Sequence, residues 1–263
     1  MRKIPQDVLG NIAILKFPRR MWFLKKKFLA WRFLKKTAGV ESVLEKVEGF
    51  SGELRTAKTR HLAGKKTKIA RYRENGCIFE FDVDKSYFSP RLSNERAEIS
   101  REILKSRKKN LRVLVMFAGV GPYPIVLARM ALKSGKNLKI VLNELNPDAI
   151  LAAKKNAKLN KVFDFMEFVG GDARELLEKG LGKFDFIVMP RPKLEETFLK
   201  VALGLSKKGT VVFYHGFGEK EEVLEEVLRD CGKKIGCLKI KKAGDIGIRS
   251  FRWRVSFKVL KSA

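Results

Sequence analysis

The chain predicts an α/β fold, a Rossmann-like open sheet preceded by a small α+β module. Three observations carry this. From about residue 87, apolar strand-like runs alternate with amphipathic helical runs. A glycine turn, "FAGVGP" at Phe117–Pro122, joins the first of those strands to its helix. Acids are sparse over the first eighty-odd residues, in a chain of 57 Lys and Arg against 29 Asp and Glu, formal charge +28.

The front module, residues 1–84, holds the β-like runs "NIAILKF", "VLEKVEGF" and "CIFEFDV", with a basic amphipathic helix over 22–36 among them. Asn75-Gly76 predicts a hairpin turn between two strands. The second domain, 85–263, opens with the helix "NERAEISREILKSR", with Asn94 as N-cap and Glu95 in its first turn. Then "RVLVMFA" is a strand, "YPIVLARMALKSG" a helix, "LKIVLNEL" a strand, and "PDAILAAKKNAKLN" a helix with Pro147 in its first turn. "MEFVGGD" (strand), "ARELLEKG" (helix), "FDFIVMP" (strand), "LEETFLKVALGLSKKG" (helix) and "TVVFYHGF" (strand) continue the rhythm. A helix, "KEEVLEEVLRDCG", and a basic strand pair close it. Such alternation predicts a mostly parallel sheet with helices on both faces.

The charge excess points to a polyanionic partner, nucleic acid first. The stretch "MWFLKKKFLAWRFL" is interrupted by lysines too early to span a bilayer and has no cleavage site after it, so no membrane partner is expected. Its basic face, with Lys25, Lys26 and Lys27, is expected to meet RNA phosphates. Three scattered cysteines without a CxxC pair fit a reducing cytoplasm and argue against structural zinc.

Ligands of open α/β sheets bind beyond the carboxyl ends of the strands. The turn there is not GxGxxG, because position 124 is Pro, nor is it a phosphate-binding GxxxxGK[ST] loop. Glu144 ends the next strand, where an acid can accept from ribose hydroxyls. Asp172 in "GGDA" ends the third, where a carboxylate can accept from an adenine amine, and "MPRP" closes the fourth. Either acid could also serve as a helix N-cap. In this order the pieces resemble the class I S-adenosylmethionine-dependent methyltransferase fold. The cofactor site expected on that resemblance is Phe117, Ala118, Gly119, Gly121, Pro122, Glu144, Leu145, Asn146, Asp172, Ala173, Pro190 and Pro192.

The likeness extends further. "RENGC", "YFSPRLSNER", "MFAGVGP" and "NELNPDA", with "DVLGNIAIL", "GELRTAKTRHLAG", "VFYHGF" and "IRSFRWRVSFKV", resemble the archaeal and eukaryotic tRNA (guanine-37-N1)-methyltransferase family over nearly the whole chain. The resemblance implies methyl transfer from S-adenosylmethionine to N1 of the guanosine just 3′ of the anticodon, without a metal, by a monomer acting on the tRNA anticodon loop. It also implies that Glu95 takes the N1 proton and that Arg55 faces O6. Tyr87, Arg91 and Arg96 would shape the guanine pocket and hold phosphates. His61 and His215 receive no role.

Three departures stand out. Val115 occupies a position where the family carries an acid, and Pro190 one where it carries Asn. The chain begins directly at "RKIPQDVLGNIAIL", so the extra front domain of many members is not expected, and Lys25–Lys36 would supply part of its grip. Two rivals follow, the first from the altered "MPRP" and the second from Val115 and Pro190 together. One is a wyosine-pathway enzyme on the same fold, transferring a methyl to a tricyclic base or an aminocarboxypropyl group. The other is a catalytically silent RNA-binding homologue.

Overall fold

The computed structural model describes residues 4–247 and 250–261. Strands β1 (Gln6–Leu9) and β2 (Ile12–Leu15), helix α1 (Phe23–Lys36), and strands β3 (Ser42–Ser51) and β4 (Thr56–Gly64) form the front module, a four-stranded sheet in the order β1-β2-β3-β4. The helix seals this sheet by burying Ala30 against Ala13, Leu15, Val43 and Leu62. It also buries a cation: Lys26 Nζ lies 2.6 Å from Oε1 of Glu45 in β3, with both side chains almost wholly covered. The expectation that Lys26 meets RNA is therefore corrected. A periodicity of 3.6 turns position 26 toward the sheet and leaves its neighbours Lys25 and Lys27 exposed.

Strands β5 (Ile69–Glu74) and β6 (Cys77–Asp82) make the expected hairpin, with Asn75 at φ 49° and Gly76 at φ 71°. The expected boundary at 84/85 falls after this hairpin, yet its packing ties it to the larger sheet. Asn156 and Asn160 of helix α4 (Pro147–Leu159) and its cap accept from the amides of Glu80 and Ile78. Phe79 and Phe81 join the core under that helix.

The large sheet uses β7 (Asn110–Val115), β8 (Asn137–Glu144), β9 (Met166–Gly170), β10 (Phe184–Met189), β11 (Ser206–Gly218), β12 (Ile235–Gly247) and β13 (Ser250–Val259). Its order is β12-β13-β11-β10-β7-β8-β9, parallel except for β13, which runs antiparallel to both its neighbours. From β7 the chain winds outward through β8 and β9, then returns to build β10 and β11 on the other side. The switch point lies between β7 and β10, where crossovers diverge and leave a crevice. Helices α2 (Ser93–Leu104), α3 (Pro122–Lys133) and α4 cover one face; α5 (Leu199–Gly204) and α6 (Lys220–Cys231) cover the other.

Three local expectations change. Helix α2 begins at Ser93 after a 3-10 turn, so Asn94 lies inside it and is not its cap. "ARELL" is a short 3-10 turn. The long helix expected from Leu194 shrinks to α5, because the carbonyls of Leu194 and Glu196 accept from the buried Arg191 guanidinium at 2.8 and 3.2 Å. Phe198 at φ 60° then turns the chain into the helix.

Candidate active site

A cleft opens at the carboxyl ends of β7, β8, β9 and β10, and the turn after β7 forms its floor. The amide of Ala118 donates to the Asn143 carbonyl at 2.9 Å, and Gly119 N–H donates to Glu144 Oε2 at 2.7 Å. The other oxygen of Glu144 accepts from the Asn146 amide at 2.9 Å. Burial raises the Glu144 carboxyl above its ordinary value despite these bonds. Each oxygen retains a lone pair for a hydroxyl donor.

Of the twelve residues expected to hold the cofactor, all line this cleft except Gly121. Gly121 caps α3 at φ 87°, and a Cβ there would meet Ile125 Cδ1 at 2.9 Å and Ala153 Cβ at 3.3 Å. Its glycine serves the packing of α3 against α4. Val115 is a core residue of β7, paired with Val188 and Leu142. The turn beyond it is held by Glu144 instead of by an acid at that position.

Asp172 performs the alternative role read for it: it accepts from Arg174 N at 2.8 Å and pairs with the Arg174 guanidinium at 2.9 Å, while still bordering the cleft. Asn146 caps α4 through Asp148 and Ala149, and its amide nitrogen donates to the carbonyls of Leu54 and Lys85 at 2.9 and 2.7 Å. It thereby ties the 53–55 loop of the front module to the cleft.

That loop delivers Arg55. Arg55, Phe117 and Phe198 all have positive φ, at 53°, 54° and 60°, and all three line the cleft. Such backbone strain gathers where a surrounding structure dictates one geometry. The Arg55 guanidinium lies over the Tyr87 ring at 5.1 Å, and its buried Nε has no hydrogen-bond partner.

A second cavity adjoins the first, sharing a wall of Arg55, Tyr87, Phe88, Ser89, Leu92 and Arg252. In its remaining lining Lys16, Lys46, Arg91 and Lys193 outnumber Asp7 and Asp245, so it is basic on balance. Arg91 is exposed at its rim, 3.6 Å from Asp7. Arg96 differs from expectation. It is fully buried, paired through two nitrogens with Glu74, and lies over the rings of Phe88 and Tyr123. Its charge is met by Glu74 and it lines the cleft, so it shapes the wall while a carboxylate takes the place of a phosphate.

Glu95 does not line the cleft, although Leu92 and Arg96 beside it do. It is buried, with Oε1 lying 3.2 Å from His215 Nε2 and 3.2 Å from the Arg254 guanidinium. Burial would push this carboxyl up, but the His215 hydrogen bond and nearby cations hold it below its ordinary value. Burial, reinforced by Arg252, pushes His215 down, so the imidazole is neutral. With Arg252 donating toward Nδ1 at 3.3 Å, the proton is assigned to Nε2, which donates to Glu95.

The sequence reading missed His215, Arg252 and Tyr123. Their signal was weak: polar groups inside otherwise apolar runs, "VVFYHGF", "FRWRVSF" and "GPYPIVL". Pro190 and Pro192 border the cleft, while Arg191 between them turns inward to Tyr214 and Glu226 at 2.5 and 2.8 Å. Nothing on that strand end supplies a side-chain amide. Among the described residues no helix is long and apolar enough to cross a membrane.

Comparison with known proteins agrees with this geometry. The family model described as "TRM5/TYW2 methyltransferase domain" matches residues 70–240, and "TYW2 N-terminal domain" matches residues 5–67. The tRNA (guanine(37)-N(1))-methyltransferase Trm5b of Pyrococcus abyssi is 34% identical over 93% of this chain and 70% of its own. The tRNA (guanine(37)-N(1))/4-demethylwyosine(37)-methyltransferase Taw22 of Nanoarchaeum equitans is 30% identical over 95% of this chain and 98% of its own. Among solved structures, the complex of aTrm5 with tRNALeu superposes with a TM-score of 0.84 at 28% identity, covering 98% of this chain and 72% of that one.

Proposed function

This chain belongs to the TRM5/TYW2 methyltransferase family, and from that premise we propose that it transfers a methyl group from S-adenosylmethionine to N1 of guanosine 37 in tRNA. The observation that carries the reading is the pair of adjoining cavities: one at the strand ends, the other basic, with a common wall across which a methyl can pass.

The strand-end cleft fits the donor by its chemistry. Glu144 offers carboxylate lone pairs to ribose hydroxyls, and Phe117, Pro190 and Pro192 offer apolar surface to a purine. When bound there, the donor supplies an electrophilic methyl on a sulfonium. The basic cavity suits a nucleotide, whose phosphates meet Lys16, Lys193 and Arg91. N1 lies on the Watson–Crick edge, so the base must leave its stack to enter.

Guanine N1 becomes nucleophilic as its proton leaves, and charge then builds on O6. Arg55, stacked on Tyr87 in the common wall, stabilises that oxygen. Glu95, ionised, is the proton acceptor in this reading. Its Oε1 accepts from His215, and catalytic contacts of this kind tighten when substrate is seated.

The test is incubation of methyl-labelled donor with unmodified tRNA and, in parallel, with tRNA carrying the tricyclic precursor base, followed by nucleoside mass spectrometry. N1-methylguanosine at position 37 supports the reading. A label only on the tricyclic base of precursor tRNA would assign the chain to the 4-demethylwyosine reaction for which Taw22 is named. No label and no donor binding would leave a silent RNA-binding homologue.

A further inference from the structure

Strand β13 carries Arg252 and Arg254 two residues apart, so both face the same side of the sheet, opposite Phe217 and His215 of β11. Both are buried, at 8% and 7% exposure, yet their surroundings differ. Arg254 reaches three carboxylates of α2: Glu95, Glu98 and Glu102. Arg252 has no carboxylate within 4.0 Å among the described residues. Its contacts are the bare Nδ1 of His215 at 3.3 Å and the ring of Phe217 at 4.6 Å. Arg55, in the same wall, likewise has no carboxylate among the described residues.

A buried guanidinium with no carboxylate against it is costly, and the like charge of the half-buried Arg55 adds to that cost. Such an arrangement persists where a ligand brings the missing negative charge. Arg252 lines both cavities, as Arg55 does. We propose that Arg252 is a second guanidinium at the reacting base, closing with Arg55 on the purine oxygen that becomes negative as the neighbouring ring nitrogen gives up its proton, before the methyl arrives and neutralises it. His215, itself bound to Glu95, fixes the guanidinium through its bare nitrogen, so two buried groups, from α2 and β11, orient the cation on β13. This rests on the methyltransferase reading above and adds a residue to it.

The experiment compares Arg252→Lys and Arg252→Gln with the parent chain on unmodified tRNA. It measures kcat, the KM for tRNA, donor affinity by calorimetry and melting temperature. Removing one donor to a developing oxyanion lowers kcat by roughly 100-fold, so that loss is expected for Arg252→Gln. Arg252→Lys keeps the charge without the fork and should lose about tenfold. The KM for tRNA and the donor affinity should stay within about threefold of the parent. If Arg252→Gln does not fold, the Lys variant carries the test alone, because the cation remains to pair with Nδ1. Raised KM with intact kcat would overturn the proposal and make Arg252 a phosphate grip. Lost donor affinity would overturn it in favour of a donor contact. A parent chain without activity counts against the methyltransferase reading; an active parent with unchanged variants counts against this inference.

Discussion

Gly119 N–H donates to Glu144 Oε2 at 2.7 Å, so the carboxylate closing β8 also holds the turn closing β7. One side chain thus shapes the floor of the cleft and offers acceptors to whatever lies on it. Glu144→Ala is expected to weaken donor binding by about tenfold or more, since hydrogen bonds to a charged group contribute about 1.5–3 kcal/mol. Calorimetry with S-adenosylmethionine checks this. Unchanged affinity would remove Glu144 from the donor site.

Glu95→Gln separates proton acceptance from architecture. The amide oxygen still accepts from His215 Nε2, so the fold and tRNA affinity should persist, whereas the variant cannot take a proton. Turnover is expected to fall at least 100-fold with tRNA affinity retained, while loss of the buried Glu95–Arg254 ion pair lowers the melting temperature. Methylation at the parent rate would show that Glu95 is not the base.

The lysines of α1 should divide into two kinds. Replacing exposed Lys25 and Lys27 by Gln is expected to weaken tRNA binding and to reduce the salt slope by about one unit for each phosphate no longer neutralised. Lys26→Ala should instead cost stability, about 3 kcal/mol, because it leaves the buried Glu45 carboxylate with only the long contact to half-exposed Arg60 at 3.7 Å. Denaturant melts and filter binding across salt concentrations test both. An identical response from Lys25 and Lys26 would contradict the burial difference.

Asp185 sets an acid limit. Burial alone would raise its carboxyl, but hydrogen bonds from Lys108, the Arg112 amide and Lys207 outweigh that and hold it at about 2. This lies below the unfolded value of about 3.9. Its contribution is therefore complete above about pH 4 and is lost as pH falls toward 2, a change of about 2 kcal/mol. Asp185→Asn should lower stability at neutral pH and flatten the acid limb of the stability curve. An acid limb as steep as the parent's would refute this.

Much of the site could be read before any coordinates. Glycine turns, strand-end acids and helix-start prolines are local signals, since each follows from what one short segment needs. That is why the turn at Phe117–Pro122, Glu144 and the Pro147 helix stand where the alternation of strands and helices placed them. Pairing of distant charges leaves no such trace. Arg96 and Lys26 look in sequence like the other basic residues of a basic chain, yet each meets a buried acid, Glu74 or Glu45, from a separate element.

By itself the sequence determined the order of elements, the basic character of the surface and the strand ends at which a ligand must sit. Those properties depend on side-chain periodicity and backbone preference over a few residues. Only the tertiary structure decided which cations are free and which are spent, and that Glu95, His215 and Arg252 form one chain of contacts behind the cleft. Their positions span α2, β11 and β13, and only sheet closure brings β13 between β11 and β12 to join them. Charge is a property of a residue, but its counter-ion is a property of the fold.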